Sequence, residues 1–220
     1  MNTIHPTAVL DGDIRMGDGN VIGAFVVITG PVVIGDGNFI GSGAIIGAPP
    51  EVRDFPHAGR DESRTGAARP AGVVIGDRTV VREQAQIHQG WQRATTVGDD
   101  AFIMNQAYVA HDVQLARAVT VAGGVRLAGH VVVGDGANIG LGALVHQRRT
   151  IGAGAMVGMG AVVTRDVPAY AKAYGSPARV RDVNRRGAEA AGLSVEQIES
   201  LRERFADALG SSVVEGRDPI

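Results

Sequence analysis

A six-residue repeat of aliphatic side chains constrains this chain more than any other feature. It runs without a gap through Val97, Ile103, Val109, Leu115, Val121, Leu127, Val133, Ile139, Val145, Ile151, Val157 and Val163. A period of six fits neither an amphipathic helix nor an alternating strand, but it is typical of a hexapeptide solenoid. We therefore predict an all-β chain, a left-handed parallel β-helix of hexapeptide repeats. Three hexads would form a coil of about 18 residues, an exception to the usual right-handed crossover.

The repeat covers most of the first 168 residues and is interrupted twice. Its earlier positions are Ile4, Leu10, Met16, Ile22, Ile28, Ile34, Ile40, Ile46, Ile75, Val81 and Ile87. The interruptions are a Pro-, Gly- and charge-rich loop at 49–72 and a shorter loop at 89–96, which carries the only Trp. Loops this long inside a solenoid are usually functional or disordered. We predict a β-helix over 1–168 with both loops on one side, where they would wall a cleft.

A different pattern follows Pro168 and predicts a short helical C-terminal region and tail over 169–220. Ser194 is a good helix N-cap, and Gln197 completes a capping box. Leu193 and Ile198 are spaced for a hydrophobic staple. The apolar face of this helix would consist of Ile198, Leu201, Phe205 and Leu209.

Composition excludes several classes of protein. The formal net charge of −2 gives no support for nucleic-acid binding. The chain has neither a signal-peptide pattern at Met1 nor an apolar run long enough for a membrane span. It has no Cys, so disulfides are excluded and a cytoplasmic location is the default expectation. Parallel β-helices of this kind usually form homotrimers, and we expect one here.

The repeat also gathers the residues best suited to chemistry. Residues one coil apart stack, so His111, Gly129 and Gln147 form one column, and Asp112, His130 and Arg148 form the next. His146 lies one residue before the first column. Histidine suits proton transfer near neutral pH, and a neighbouring carboxylate would orient the imidazole. Adjacent residues on a flat strand face opposite sides, so a His111–Asp112 pair requires a corner or a bent strand.

Two other interpretations of these histidines remain open. Histidines on a solenoid surface can be purely decorative, which would make the protein a non-catalytic scaffold. Hexapeptide coils can also bind zinc, as in γ-class carbonic anhydrases, which use a His-x4-His pair and a third His one coil away. No histidine pair here has that spacing, so we predict no metal site.

Several motifs resemble the UDP-N-acetylglucosamine O-acyltransferase family of lipid A biosynthesis over nearly the whole chain. They are MNQAYVAHD at 104–112, LAGHV at 127–131, VHQ at 145–147 and DVP at 166–168. This resemblance implies transfer of a 3-hydroxyacyl chain from acyl carrier protein to a hydroxyl of UDP-N-acetylglucosamine or a related nucleotide sugar. Acyl-phosphopantetheine on the carrier protein would be a co-substrate, and no cofactor, metal or covalent intermediate is implied.

The resemblance also implies roles for individual residues. His111 would be the general base, assisted by Asp112, and the backbone N–H of Gly129 would stabilise the oxyanion. The nucleotide sugar or the acyl chain would be held by His130, His146, Gln147 and Asn184.

Three departures from the family pattern concern the substrates. Tyr108 stands where the family commonly has His, and Glu51 stands where the family has a Gln, in a loop that contacts the sugar nucleotide. A different acceptor, in secondary metabolism, is therefore an alternative. Met159 occupies a place where some members have a Gly that leaves room for a long acyl chain. We therefore expect a short to medium chain, of roughly ten carbons or fewer.

Overall fold

The fold is a parallel β-solenoid of about nine coils with two helices at its C-terminal end. The computed structural model describes residues 1–55 and 71–214, with side chains as far as 206. Most of the 49–72 loop, the side chain of Leu209 and the tail at 215–220 lie outside the described residues. The predicted left-handed parallel β-helix is confirmed.

Three sheets form the three faces of the prism. Sheet A contains β1 (Thr3–Ile4), β4 (Val21–Ile22), β7 (Phe39–Ile40), β10 (Val80–Val81), β13 (Phe102–Ile103), β16 (Thr120–Val121), β19 (Asn138–Ile139), β22 (Met156–Val157), β24 (Ala171–Tyr174) and β25 (Arg179–Val183). Sheet B contains β2 (Val9–Asp11), β5 (Val27–Thr29), β8 (Ile45–Ala48), β11 (Gln86–His88), β14 (Tyr108–Val109), β17 (Arg126–Leu127), β20 (Leu144–Val145) and β23 (Val162–Val163). Sheet C contains β3 (Ile14–Met16), β6 (Val32–Ile34), β9 (Val73–Ile75), β12 (Thr95–Val97), β15 (Gln114–Leu115), β18 (Val132–Val133) and β21 (Thr150–Ile151).

The register of these sheets fixes which side chains stack. Phe102 pairs with Thr120 and Ile103 with Val121, one coil further along. In every two-residue strand except β1, the second residue is buried and the first faces outward, as Val121 and Thr120 do in β16. Burying an aliphatic side chain contributes about 1.5–3 kcal/mol. The repeat therefore forms the core by stacking the same kind of side chain from coil to coil.

The first coil lies at an open end of the core. Its inward positions Ile4 and Leu10 remain 44% and 39% exposed, whereas Ile22 and Ile28, one coil further in, are buried. Among the described residues, the strands of this first coil are β1, β2 and β3, each two or three residues long.

The C-terminal segment covers the other end of the solenoid. It contains α1 (Arg185–Ala190) and α2 (Val195–Val214). The predicted capping box is confirmed: the Ser194 N–H donates to Gln197 Oε1 at 2.7 Å, and the Gln197 N–H donates to Ser194 Oγ at 3.3 Å. Ile198 and Leu201 pack with Val183, and Leu193 joins this cluster. Neither helix has the length and apolar character needed to cross a membrane.

Candidate active site

His111 and Asp112 lie at the corner where the chain passes from sheet B to sheet C. Asp112 has a left-handed backbone, with φ of 61°, which turns its side chain towards that of its neighbour. His111 Nδ1 contacts Asp112 Oδ2 at 2.7 Å. The bend that sequence spacing required for this pair is therefore present.

The Asp112 carboxylate is completely buried and is surrounded by hydrogen-bond donors. Three consecutive backbone N–H groups donate to it, from Trp91 at 3.2 Å, Gln92 at 2.8 Å and Arg93 at 2.7 Å. Burial raises the pKa of Asp112, but the hydrogen bonds from His111 and from these N–H groups outweigh burial and hold the pKa below its ordinary value. Asp112 is therefore ionised at neutral pH and keeps a proton on His111 Nδ1.

Replacing Asp112 by Asn is expected to lower kcat by roughly 100-fold or more. In the variant, the NH2 of the Asn side chain would face a group that donates a hydrogen bond to Asp112 in the wild type. The hydrogen bonds to His111 and to the 91–93 backbone could then not all form. Trp91 is the only Trp in the chain, so its fluorescence emission should shift in the same variant. The matched control is Asp135→Asn, because Asp135 Oδ1 accepts one backbone N–H from Arg117 at 2.9 Å at another corner. Wild-type kcat in Asp112→Asn would contradict this role.

Gly129 lies directly against the imidazole of His111. A Cβ built on Gly129 would come within 2.6 Å of His111 Nε2 and Cε1, so only glycine leaves the ring in place. The Gly129 N–H has no hydrogen-bond partner among the residues that the structure describes. The coil that carries Gly129 thus places this backbone donor beside Nε2 of His111, which lies on the preceding coil.

His130 lies at the same B–C corner as His111 and Asp112, and we call these three residues with Gly129 the catalytic corner. Its ring meets that of His111 edge to face at 5.1 Å between centroids, and its Nε2 lies 3.9 Å from Asp112 Oδ2. Burial lowers the pKa of His130, and Arg148, His111 and Arg93 lower it further, against the raising effect of Asp112. His130 is therefore neutral at neutral pH. The predicted stacking of His111 on Gly129, with His130 beside Asp112 in the adjoining column, is confirmed.

The same residues include the one cluster in the described part of the chain that resembles a metal site. Ligand atoms of His111, Asp112 and His130 lie within 4.8 Å of one another. However, both oxygens of Asp112 already accept hydrogen bonds, and His111 Nδ1 is engaged by Asp112. A metal ion would have to displace these bonds, so the donor set fits an acid–base pair better than a metal centre.

Both interruptions of the repeat leave the solenoid at the B–C corner, next to these histidines. The first begins after β8 and the second after β11, each before a strand of sheet C. Phe55 of the first loop packs edge to face on Trp91 of the second, with 5.3 Å between ring centroids. The prediction that both loops lie together on one side is confirmed for the residues that the structure describes.

Glu51 joins the first loop to the outer face of sheet B. Tyr108 donates its hydroxyl hydrogen to Glu51 Oε2, and His88 Nε2 lies 3.3 Å from Glu51 Oε1. His88 Nδ1 contacts the carbonyl of Pro49 at 2.9 Å. Burial, this hydrogen bond and the charge of Glu51 together raise the pKa of Tyr108, which stays protonated. The two substrate-binding residues predicted at 51 and 108 therefore contact each other.

Two concave regions lie on the outer face of sheet B. A polar pocket of about 480 Å³ is lined by Gly43, Gln84, Gln86, Gln106, Tyr108 and Arg126. An apolar groove of about 250 Å³ is lined by Tyr108, Arg126, Ala128, Leu144, Val145, His146, Val162 and Thr164. Tyr108 and Arg126 line both the pocket and the groove. The predicted residue His146 lines the groove, near the catalytic corner.

Of the remaining predicted residues, Gln147 stacks with His111, whereas Asn184 and Met159 lie at other corners of the prism. Gln147 stands in the His111 column and is exposed. Asn184 is buried, and its side-chain amide donates to the carbonyl of Gly154 at 2.7 Å, at the C–A corner. Met159 lies at the A–B corner with its side chain 74% exposed. The roles predicted for these three residues stay predictions.

Four further residues contribute to this region, namely Arg126, Trp91, Arg93 and His88. Arg126 could have been found from the repeat, because it pairs in register with Tyr108 one coil away. Trp91 and Arg93 could not, because they lie in a loop that has no fixed register with the hexads. His88 follows a hexad position in β11, but its partners Pro49 and Glu51 lie in the other loop.

Comparison with known proteins is consistent with the site and its frame. The family model "Bacterial transferase hexapeptide (six repeats)" matches residues 13–48. An acyl-[acyl-carrier-protein]–UDP-N-acetylglucosamine O-acyltransferase of Stutzerimonas stutzeri is 35% identical over 206 residues, which cover 92% of this chain and 80% of the relative. The Pseudomonas putida enzyme (strain W619) with the same name is 38% identical over 215 residues, covering 93% and 83%.

Solved structures agree with the sequence relatives. The UDP-N-acetylglucosamine acyltransferase of Francisella novicida superposes with a TM-score of 0.78 at 26% identity, covering 92% of this chain and 76% of the other. The Campylobacter jejuni enzyme gives 0.76 at 27% identity, covering 93% and 81%. The chain belongs to the acyl-[acyl-carrier-protein]–UDP-N-acetylglucosamine O-acyltransferase family.

Proposed function

We propose that this chain transfers an acyl group from the thioester of acyl carrier protein to a hydroxyl of UDP-N-acetylglucosamine. The names of its relatives supply both substrates. The observation that carries the proposal is the contact of His111 with Gly129, which places a base nitrogen beside a backbone N–H that has no partner among the described residues. An acyl transfer by direct attack of a hydroxyl needs these two groups side by side.

We assign each step of this transfer to an atom. Because Asp112 keeps the proton on His111 Nδ1, Nε2 carries the lone pair that accepts the proton of the acceptor hydroxyl. The resulting oxygen attacks the thioester carbonyl carbon, and the Gly129 N–H donates to the negative oxygen that forms there. Collapse of this intermediate breaks the C–S bond, and the imidazolium returns its proton to the thiolate. The products are an ester and the free thiol of the carrier.

The burial of Asp112 favours a role through His111 over a direct exchange of protons with substrate. Its carboxylate is inaccessible, and its depressed pKa makes it a weak base. Its negative charge instead stabilises the imidazolium that forms when His111 takes the hydroxyl proton. Asp112 is thus a positioning and electrostatic partner, and His111 is the group that touches substrate.

The apolar groove is the best candidate on this chain for the start of the acyl chain. It is lined by Ala128, Leu144 and Val162, and it lies next to the catalytic corner. Met159 lies at the A–B corner, which borders the face of sheet B, but Asn184 lies at the C–A corner, so it can border the same cleft only if a neighbouring chain supplies it. This separation supports a homotrimer with sites between subunits.

A screen of acyl chain lengths on acyl carrier protein against several nucleotide sugars tests the function, with Met159→Gly beside wild type. Wild type is expected to acylate UDP-N-acetylglucosamine with chains of about ten carbons or fewer. Met159→Gly should prefer a longer chain, because removing an exposed, flexible side chain at the A–B corner lengthens the space beside the chain.

The controls separate the parts of this proposal. Leu141→Ala, at the equivalent position one coil earlier and 52% exposed, should change chain preference less than Met159→Gly. If the protein acylates only an acceptor other than UDP-N-acetylglucosamine, the proposed acceptor is wrong and the proposed acyl transfer stands. Absence of transfer with every donor and acceptor would favour a non-catalytic scaffold.

A further inference from the structure

We propose that Arg126 is a specificity residue that binds a phosphate oxyanion of a substrate in the polar pocket of sheet B. This inference rests on the proposed function, because both substrates of such a transfer carry phosphate. The acceptor would bring a nucleotide diphosphate, and the donor would bring the phosphate of its phosphopantetheine arm. The shared chemistry is a phosphate group recognised by a guanidinium.

Arg126 is held in place by contacts that, within residues 1–55 and 71–206, leave most of its donors unused. Its Nη1 donates to the carbonyl of Gln106 at 2.6 Å, and its guanidinium carbon lies 5.9 Å from the centre of the Tyr108 ring. A guanidinium has five N–H donors in a rigid fork, and this contact uses one. A cation positioned before its ligand arrives loses less conformational entropy on binding.

The charge of Arg126 is not neutralised by a carboxylate within 4 Å among the residues that the structure describes. Glu51 lies close by, on the Tyr108 hydroxyl, but its carboxylate contacts that hydroxyl and His88 and not Arg126. Most other arginines with a described ion pair lie on the outside of corners, as Arg78 does with Asp100 at 2.7 Å. An unpaired, oriented arginine in a concave site is the arrangement that binds phosphate.

The other lining residues of the polar pocket suit a phosphate as well. Gln84, Gln86 and Gln106 supply neutral amides, and no described acidic residue lines the pocket. An oxyanion there meets a cation and amide donors without a like charge. A purely apolar ligand would instead bury these amides and the guanidinium without partners, which is costly.

The position of Arg126 along β17 relates this pocket to the reacting atoms. Arg126 lies three residues before Gly129 on the same strand and its corner, a separation of roughly 10 Å at about 3.3 Å per residue. A sugar diphosphate, or the end of a phosphopantetheine arm, spans a distance of this order. A phosphate on Arg126 would therefore fix the register of the substrate relative to His111.

The test compares wild type with Arg126→Gln and Arg126→Lys in steady-state acyl transfer, varying acceptor and donor separately. Arg126→Gln is expected to raise the KM of one substrate by roughly tenfold to a hundredfold, the usual effect of losing a charge-assisted hydrogen bond, with kcat little changed. A rise for the nucleotide sugar identifies the acceptor diphosphate, and a rise for the acyl carrier protein identifies the arm phosphate. Arg126→Lys should lie between, because it keeps the charge and loses the fork.

Arg117→Gln is the matched control, because it removes one exposed positive charge at the C–A corner, where Arg117 lies 3.9 Å from Asp100. It should leave both KM values unchanged. Unchanged KM values in Arg126→Gln, or a fall in kcat alone, would overturn the proposal. Equal shifts in Arg117→Gln would do the same, since they would indicate a general charge effect.

Calorimetric titration of the substrate-free protein with pyrophosphate separates this inference from the proposed function. Wild type should bind pyrophosphate, and Arg126→Gln should bind it at least about tenfold more weakly. Loss of acyl transfer in wild type with pyrophosphate binding intact would reject the function and keep the site. Equal pyrophosphate affinity in wild type and Arg126→Gln would reject the site.

Discussion

Replacing His111 by Ala is expected to lower kcat of acyl transfer by about 100-fold to 10,000-fold, the usual contribution of a positioned general base. The variant would keep the Gly129 N–H and the binding surfaces, so the KM values should change little. The loss arises because no other described side chain combines a free imidazole nitrogen with a hydrogen bond to a buried carboxylate at 2.7 Å. The measurement is single-turnover transfer from acyl carrier protein, which isolates the chemical step.

His5→Ala is the control for this prediction. His5 lies in the first coil, is exposed, and contacts the Thr7 hydroxyl at 2.8 Å, so its loss removes a histidine without touching the catalytic corner. Near wild-type rates in both variants would exclude His111 as the base and would leave the scaffold interpretation standing. A thermal unfolding midpoint for each variant checks that the coils remain stacked.

Gly129→Ala is expected to reduce kcat by at least about 100-fold although it keeps the backbone N–H. The new Cβ would lie 2.6 Å from His111 Nε2 and Cε1, closer than packed atoms allow, so the imidazole must move. A displacement of about 1 Å at a reacting group costs on the order of 100-fold. The distinguishing readout is the His111 imidazole, whose NMR shift should change in this variant.

Gly123→Ala is the matched control, because Gly123 holds the equivalent place at the A–B corner of the same coil. The three atoms nearest to its added Cβ would belong to the side chains of Asn105 and Leu141, at 3.1 and 3.3 Å, and to the Asn105 carbonyl, at 3.4 Å. These contacts are tight but tolerable, so activity should survive. Equal activity in Gly129→Ala and wild type would contradict the prediction, because it would mean that the His111 imidazole tolerates the added Cβ.

The hexad pattern was sufficient to predict the fold. Because inward residues repeat at a fixed spacing, a pattern such as Ile103, Val121 and Ile139 determines the register of the sheets without any knowledge of the loops. The same arithmetic brought His111, Gly129 and His130 together. What it could not supply was the left-handed turn at Asp112, with φ of 61°, which makes neighbours in sequence neighbours at the site.

The contacts made by the loops were beyond sequence reasoning for a physical reason. The N–H groups of Trp91, Gln92 and Arg93 reach Asp112 only because the 89–96 loop folds back over the corner. Glu51 likewise reaches Tyr108 from a loop. A loop outside the repeat has no register that fixes its partners, so its contacts depend on conformations that periodicity does not specify.

The emergence of both loops from the catalytic corner has a consequence for how this protein can diverge. Closing a longer loop costs little free energy, because the entropic cost grows only slowly with length, and the coils on either side stay stacked through their own hexads. The 49–72 segment can therefore change in length and sequence while the core remains intact. If the loop contacts the sugar nucleotide, as the family resemblance implies, the preferred acceptor can change with it. His111 and Gly129 have no such freedom, because each is fixed by a coil. In this architecture, substitutions in the loops can change the acceptor, whereas the residues proposed to carry out the reaction are held in place by the hexapeptide repeat.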